Sequence, residues 1–174
     1  TFKTDFSVTG SCVLNNYTFK DLTASKYGIV NSWRWNFGDA GSTADSATTK
    51  DTVWKYSSAQ NATVTLISTN SKGCIDTLTK QIAILDKPQI NLPFKDTLIC
   101  SNDTLRLKAT ITNTATISWT PNNTANKLRI TGANTASPSA FPNDSTKYYV
   151  TVNDNGCNAT DSVMVNVLQF IKVD

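Results

Sequence analysis

Gly73-Cys74-Ile75-Asp76-Thr77 opens an alternating apolar run, Leu78 to Leu85, and Gly156-Cys157-Asn158-Ala159-Thr160-Asp161-Ser162 opens a second, Val163 to Leu168. A period of two lays the apolar side chains on one face of an extended strand. The same phrase, met once in each half, makes the chain read as one module used twice. Other features repeat with it. Cys12 and Cys74 fall in the first half, Cys100 and Cys157 in the second. Trp35 precedes Cys74 by 39 residues, and Trp119 precedes Cys157 by 38.

Outward from these phrases, short stretches rich in Thr, Val, Ile and aromatics alternate with Asn, Asp, Gly and Ser clusters, which predicts an all-β sandwich. No window shows a 3.6-residue apolar period. In the first module strands are expected near Asp5–Val8, Tyr17–Leu22, Ser32–Phe37, Thr52–Tyr56, Ala62–Thr69 and Cys74–Leu85. In the second they are expected near Thr97–Cys100, Thr104–Ala109, Thr116–Thr120, Lys127–Thr131, Lys147–Asn153 and Ala159–Leu168. Asp86-Lys87-Pro88 is the linker. The expected domains are therefore 1–86 and 87–170, with 171–174 a tail or the start of a following module.

The length of 174 residues suits two modules of about 85. Domains this small bury limited cores, and covalent staples commonly supplement them. The absence of histidine and of any Cys-x-x-Cys spacing argues against zinc. An even cysteine count, wide separations and a repeated context favour disulfides formed in an oxidising compartment. Three pairings are open to four cysteines. Repeat symmetry favours Cys12–Cys74 and Cys100–Cys157, each closing a loop of roughly 60 residues and contributing on the order of 3–4 kcal/mol. The formal net charge is +3, with no basic run or stripe of the kind a phosphate backbone needs, so nucleic acid is not an expected partner. No 18-residue apolar segment exists, so no direct membrane insertion is expected. Thr1-Phe2-Lys3 reads as the start of an excised piece of a longer secreted protein.

Trp33-Arg34-Trp35-Asn36-Phe37-Gly38-Asp39 resembles the signature W-x-W-x-F-G-D of PKD (polycystic kidney disease) domains. Phe19-Lys20-Asp21, Tyr56 and Val64-Thr65-Leu66 before Thr69-Asn70 support it, and the resemblance covers about residues 2–86. Two positions depart from it: Thr52-Val53-Trp54 replaces the usual Pro-x-His, and Ala62 replaces an aromatic. The second half is similar to the Ig-like repeats that follow PKD modules. The residues that carry this are Asp96-Thr97-Leu98-Ile99-Cys100, Ile117-Ser118-Trp119-Thr120-Pro121, Tyr148-Tyr149-Val150-Thr151-Val152 and Asn155-Gly156-Cys157. The fold that follows is two Ig-like/PKD β-sandwiches in tandem, with Trp35 and Trp119 as core tryptophans of strand C. Such pairs occur in long adhesins of gliding Bacteroidetes and in polysaccharide-degrading enzymes exported by the same phylum. The resemblance implies an extracellular, cell-surface, non-catalytic and monomeric module. Its partners would be neighbouring modules of the same polypeptide and a surface polysaccharide or another cell-surface protein. Two functions follow: a spacer segment of an adhesin, gliding motility included, or a carbohydrate-binding accessory region of a secreted polysaccharidase.

Individual residues carry competing expectations. At the Phe37-Gly38-Asp39 corner, Gly38 takes a backbone conformation barred to other residues and Asp39 caps local amides. The alternative is a calcium site using Asp21, Asp39 and Asp45, since hard cations want several oxygens. No other cofactor is expected. Trp33 and Trp35 share a strand face and are read as packing residues, whereas Trp54, with Tyr56 two places on, is the candidate ligand contact. Catalysis is argued against by the lack of histidine and glutamate and by the placing of the aspartates in turn-capping Asp-Ser and Asp-Thr dipeptides. Those dipeptides, from Asp45-Ser46 to Asp161-Ser162, also resemble the O-glycosylation motif of Bacteroidetes exported proteins. Asn-x-Ser/Thr sequons at Asn16, Asn61, Asn102, Asn122, Asn143 and Asn158 matter only in a eukaryotic secretory route.

Overall fold

Alternation of buried and exposed side chains along a few long strands organises the structure, a computed structural model that describes residues 1–112, 114–127 and 129–169. The expected tail at 171–174 lies outside the described residues. The chain divides into two compact units, Thr1–Asp86 and Lys87–Asp174. Each is an all-β sandwich.

In the first module a four-stranded sheet runs β6 (Ser46–Ala47), β5 (Val30–Asn36), β8 (Gln60–Asn70), β9 (Ile75–Ile84). Facing it is a three-stranded sheet of β2 (Phe6–Thr9), β3 (Tyr17–Asp21) and β7 (Thr52–Trp54). A small pair, β1 (Phe2–Lys3) with β4 (Ala24–Ser25), completes the unit. Along β8 the residues Ala62, Val64, Leu66, Ser68 and Asn70 all point inward, as period-two geometry requires. Ala62, Val64 and Leu66 meet Phe6, Tyr17, Phe19, Trp35, Phe37 and Tyr56 in an aromatic-rich core. Four edge-on or tilted ring pairs bind it, such as Phe6 on Trp35 at 5.2 Å and 79°.

The second module keeps the same proportions, four strands facing three with a small pair beside them. Its larger sheet runs β11 (Asp96–Cys100), β18 (Cys157–Leu168), β17 (Thr146–Asp154), β14 (Thr116–Pro121). The smaller sheet is β12 (Leu105–Arg106), β16 (Ser139–Ala140) and β15 (Ile130–Thr131), with β10 (Ile90–Asn91) paired to β13 (Thr110–Ile111). The core here is chiefly aliphatic: Leu107, Val150, Val152, Val163 and Val165 packed around Trp119 and Tyr148. The expected strand Thr104–Ala109 shortens to Leu105–Arg106. Leu107 and Ala109 continue the edge by donating their N–H groups to the carbonyls of Pro138 and Ala136 at 3.0 and 2.8 Å. Two-residue pairings such as β1–β4 carry too little pattern for sequence alternation to reveal them.

The two tryptophans occupy equivalent positions. Trp35 on β5 and Trp119 on β14 are 1% and 2% exposed. Each indole N–H crosses to the backbone of the following loop, Trp35 Nε1 to the Thr49 carbonyl at 2.9 Å and Trp119 Nε1 to the Thr135 carbonyl at 3.1 Å. Burying so large a ring with its one polar atom satisfied fixes the sandwich interior and the loop above it together.

Candidate functional site

Three places collect the residues that sequence reasoning marked for function: the corner after β5, the recess beside Trp33, and the ends of the last strand in each module.

At the corner, Gly38 has φ 63°, and a Cβ there would lie 2.4 Å from the Thr63 carbonyl oxygen. No other residue fits that approach. Asp39 is buried and accepts three hydrogen bonds: from Gly41 N–H and Gln60 Nε2 on Oδ1, both at 2.9 Å, and from Trp54 Nε1 on Oδ2 at 3.1 Å. Burial pushes its carboxyl upward, but the Gln60, Gly41 and Trp54 donors outweigh that and hold it below the ordinary aspartate value. Asp45 closes the loop by accepting from the Asp39 N–H at 2.9 Å. Asp39 and Asp45 thus meet, but Asp21 is occupied elsewhere, accepting from both the N–H and the hydroxyl of Thr23. The three expected calcium ligands are not assembled as one set. Among the described residues no cluster of three or more acidic or cysteine side chains is placed to hold a metal.

The same corner places the two candidate ligand contacts. Trp54 stacks on Phe37 with centroids 4.9 Å apart and planes 13° from parallel, and its N–H is held by Asp39. Tyr56 is fully buried and its hydroxyl donates to the Phe37 carbonyl at 2.8 Å. Tyr56 is therefore closed to a ligand, whereas Trp54 packs at the corner and stays half-buried. Sequence could not show these contacts, because the partner aspartate lies fifteen residues before Trp54.

Trp33, read as packing, has a second property. It packs against the core with its ring, yet its indole N–H is buried and has no hydrogen-bond partner among the described residues. It forms one wall of a polar recess of about 320 Å³ with Asp21, Thr23, Ser25 and Lys50.

The cysteines depart most from expectation. Cys74 and Cys100 are free thiols, while Cys12 and Cys157 are disulfide-bonded. Neither expected pair, Cys12–Cys74 nor Cys100–Cys157, forms. Cys74 immediately precedes β9, whereas Cys12 makes a parallel bridge with Leu85 just past the other end of that strand. Residues 74 and 85 are eleven apart, roughly 36 Å along an extended strand. Cys157 begins β18 and Cys100 pairs with Leu168 at its far end, again eleven residues away. A disulfide tolerates about 7 Å between Cα atoms. Repeat symmetry located the cysteines correctly and could not reveal that each pair straddles a strand.

Residues 86–169 match the family model described as Ig-like domain CHU_C associated. No curated protein matches the chain. Among solved structures, the PKD1 domain of Vibrio anguillarum Epp aligns at 20% identity over 48% of this chain and 92% of that domain, with a TM-score of 0.43. The PKD1 domain of the Vibrio cholerae metalloprotease PrtV aligns at 23% identity over 48% and 95%, TM-score 0.42. The fibronectin(III)-like modules of Clostridium thermocellum CbhA align at 15% over 97% and 95%, TM-score 0.48. The sandwich assignment rests on the strand order and register themselves.

Proposed function

We propose that this chain is a non-catalytic extracellular structural segment, a load-bearing spacer of a cell-surface adhesin, with gliding motility among its settings. The observation that supports this is the pairing of β11, an early strand of the second module, with its last strand. In the second module β11 lies beside β18 in parallel register from Asp96–Met164 to Cys100–Leu168. Force applied to the two ends of such a module runs along both strands, so all of their cross-strand hydrogen bonds are loaded together in shear. Asp39 and Asp45 are held in turn contacts and Asp161 in an ion pair at a strand edge, structural roles for these acids. Ig-like and PKD-type modules and disulfides are typical of extracellular proteins. The partners on this reading are the neighbouring modules of the same polypeptide and the surface that the distal adhesive element meets.

The Trp33 recess favours a second reading, a carbohydrate-binding accessory role. Beside the Trp33 ring the recess presents the Asp21 carboxylate, the Thr23 and Ser25 hydroxyls and the Lys50 ammonium, groups of the kind sugars use. Affinity electrophoresis through a panel of bacterial and plant polysaccharides separates the two. The spacer reading predicts unretarded migration in every gel. Retardation abolished by Lys50→Ala, which removes the ammonium at the recess and leaves the core intact, would replace it with the second reading.

A further inference from the structure

Two loops at one end of the first module are held together by a single buried side chain, Asn70 at the close of β8. Its Nδ2 donates to Ser25 Oγ at 3.2 Å and to the Tyr27 carbonyl at 3.0 Å, and its Oδ1 accepts the N–H groups of Lys72 and Cys74 at 3.0 and 2.9 Å. Ser71 adds two bonds to Ile29: its N–H donates to the Ile29 carbonyl at 2.8 Å, and its Oγ accepts from the Ile29 N–H at 3.2 Å. A buried amide with its donors and acceptor all engaged fixes the loop surface before anything meets it. What that surface shows to solvent is apolar. Tyr27 is 67% exposed, Ile29 73% and Ile75 67%. The sandwich does not require this. In the second module the corresponding turn between β17 and β18 is made by Asn155 and Gly156 alone. The exposed large apolar residues described there, Leu98, Tyr149 and Leu168, stand opposite Asn166, Ser162 and Cys100, away from that turn.

Positive charge surrounds these apolar side chains. The Lys26 ammonium lies 5.5 Å over the Tyr27 ring, and Lys72 lies against Gly28, its Cγ 3.0 Å from where a Cβ would stand. Lys50 lines the Trp33 recess together with Gly28 and Ile29. The ion pairs among the described residues are Lys80–Asp5 and Lys95–Asp161, so no acid of this chain is placed against these three lysines. The nearby acids are turned to internal donors: Asp21 to the N–H and hydroxyl of Thr23, Asp51 to the Asp21 N–H, and Asp76 to the Thr4 N–H.

We propose that this loop end docks an acidic protein segment, one that sets an aspartate or glutamate beside an aliphatic or aromatic residue. The recess of about 320 Å³ takes the acidic side chain against Lys50, Tyr27 and Ile29 cover its apolar neighbour, and Lys26 and Lys72 receive further carboxylates. An exposed apolar centre rimmed by charge has the anatomy of a protein interface, and loops already fixed by Asn70 keep the ordering cost of binding low. Ile29 and Ile75 favour a peptide over a sugar, because branched aliphatic side chains offer a hydroxyl-covered ligand no hydrogen bond. The surface goes beyond the spacer role, since a module can bear load with it empty.

The test pans random short peptides displayed on phage against the immobilised 174-residue chain and measures the selected ones, as free synthetic peptides, by fluorescence anisotropy. The selected peptides are expected to carry Asp or Glu beside Leu, Ile or an aromatic residue, and to bind more weakly as salt rises. Ile29→Ser and Lys50→Ala should each weaken them at least about tenfold, whereas Leu98→Ser, at an exposed site of the second module, should leave them unchanged. All three side chains are exposed, so the variants keep their cores. No selected peptide, selected peptides without acids, or affinities indifferent to Ile29→Ser and Lys50→Ala overturn the proposal. Polysaccharide retardation that Lys50→Ala abolishes, with no peptide bound, also overturns it and gives the recess to a sugar. The peptide results leave the spacer reading standing, since that reading is decided by the polysaccharide gels and by unfolding force.

Discussion

The two modules solve the same problem at their terminal strands with different amounts of backbone pairing. In the second, five residues of β11 run in register with β18. In the first, the corresponding contact has shrunk to a single bridge between Cys12 and Leu85, backed by the Val13 N–H on the Leu85 carbonyl at 3.0 Å. The first module leaves β9 as a sheet edge that one inward-pointing lysine guards. Lys80 reaches Asp5 at 2.8 Å, lies over the Phe6 ring and donates to the Phe6 carbonyl. A charge turned inward on an edge strand discourages pairing with another chain. The first module compensates for its thin terminal pairing with an aromatic core and the polar lock at Asp39, and the second relies on strand pairing around an aliphatic core. Similar sequence phrases thus support two different distributions of stability.

That contrast is broken most forcefully at the tryptophans. Trp35→Ala should cost about 3–5 kcal/mol and melt the first module, while amides of β17 and β18 keep their protection in hydrogen exchange. Trp119→Ala should do the reverse. Loss of protection across both modules from either variant would show that they do not fold as separate units.

A smaller effect is expected at the corner. Gly38→Ala meets the Thr63 backbone at 2.4 Å in addition to the positive φ, and should lower first-module stability by about 2–3 kcal/mol in denaturant titration. Gly73→Ala has the same sign of φ with nothing within 4 Å, and should cost only about 1 kcal/mol. Equal costs at the two glycines would remove the close approach from the account.

Much of this was legible in the chain. Alternation placed β8, β9, β17 and β18 within a few residues, because long strands with one buried face leave a period-two trace. Matched spacing placed Trp35 and Trp119, and the Phe37-Gly38-Asp39 string announced a corner that only glycine can turn. The pairing of cysteines was not legible, since spacing along a chain does not say at which end of a strand a residue finishes. The half-exposure of Trp54 was legible beside Val53 and Lys55, but its partners were not: Asp39 and Phe37 reach it only through the fold. The unpartnered N–H of Trp33 had no sequence signal, because its strand face was correctly assigned and only its surroundings decide whether the nitrogen is satisfied.

Extremes of pH sharpen the comparison further. Three carboxyls of the first module sit below their ordinary value: Asp5 through Lys80 and the Phe6 N–H, Asp39 against its burial through Gln60, Gly41 and Trp54, and Asp76 through the Thr4 and Thr77 N–H groups. The second module has Asp161, held down chiefly by Lys95. A carboxyl depressed in the folded state contributes stability above its unfolded value near 4, lost as pH falls through the folded value. The first module should therefore melt earlier than the second as pH drops below about 4. At the alkaline edge burial raises the phenols of Tyr17 and Tyr56 in the first module, and pushes Tyr148 in the second up to about 12. The unfolded chain ionises near pH 10 while these phenols stay neutral, so stability falls as pH rises beyond it, again more in the first module. Melting curves from pH 3 to 11 check both edges. The smallest effect belongs to Asp161→Asn, which removes a largely exposed ion pair with Lys95 and should cost under about 1 kcal/mol.

The most direct measurement is single-molecule stretching of the whole chain between its ends, under reducing conditions so that only strand pairing resists. Two unfolding events are predicted, the weaker assigned to the first module by its further weakening in Trp35→Phe, and the stronger to the module in which β11 and β18 are sheared together. A stronger first module, or a smooth extension with no force peak from the second, would contradict the view that parallel terminal strands carry the load.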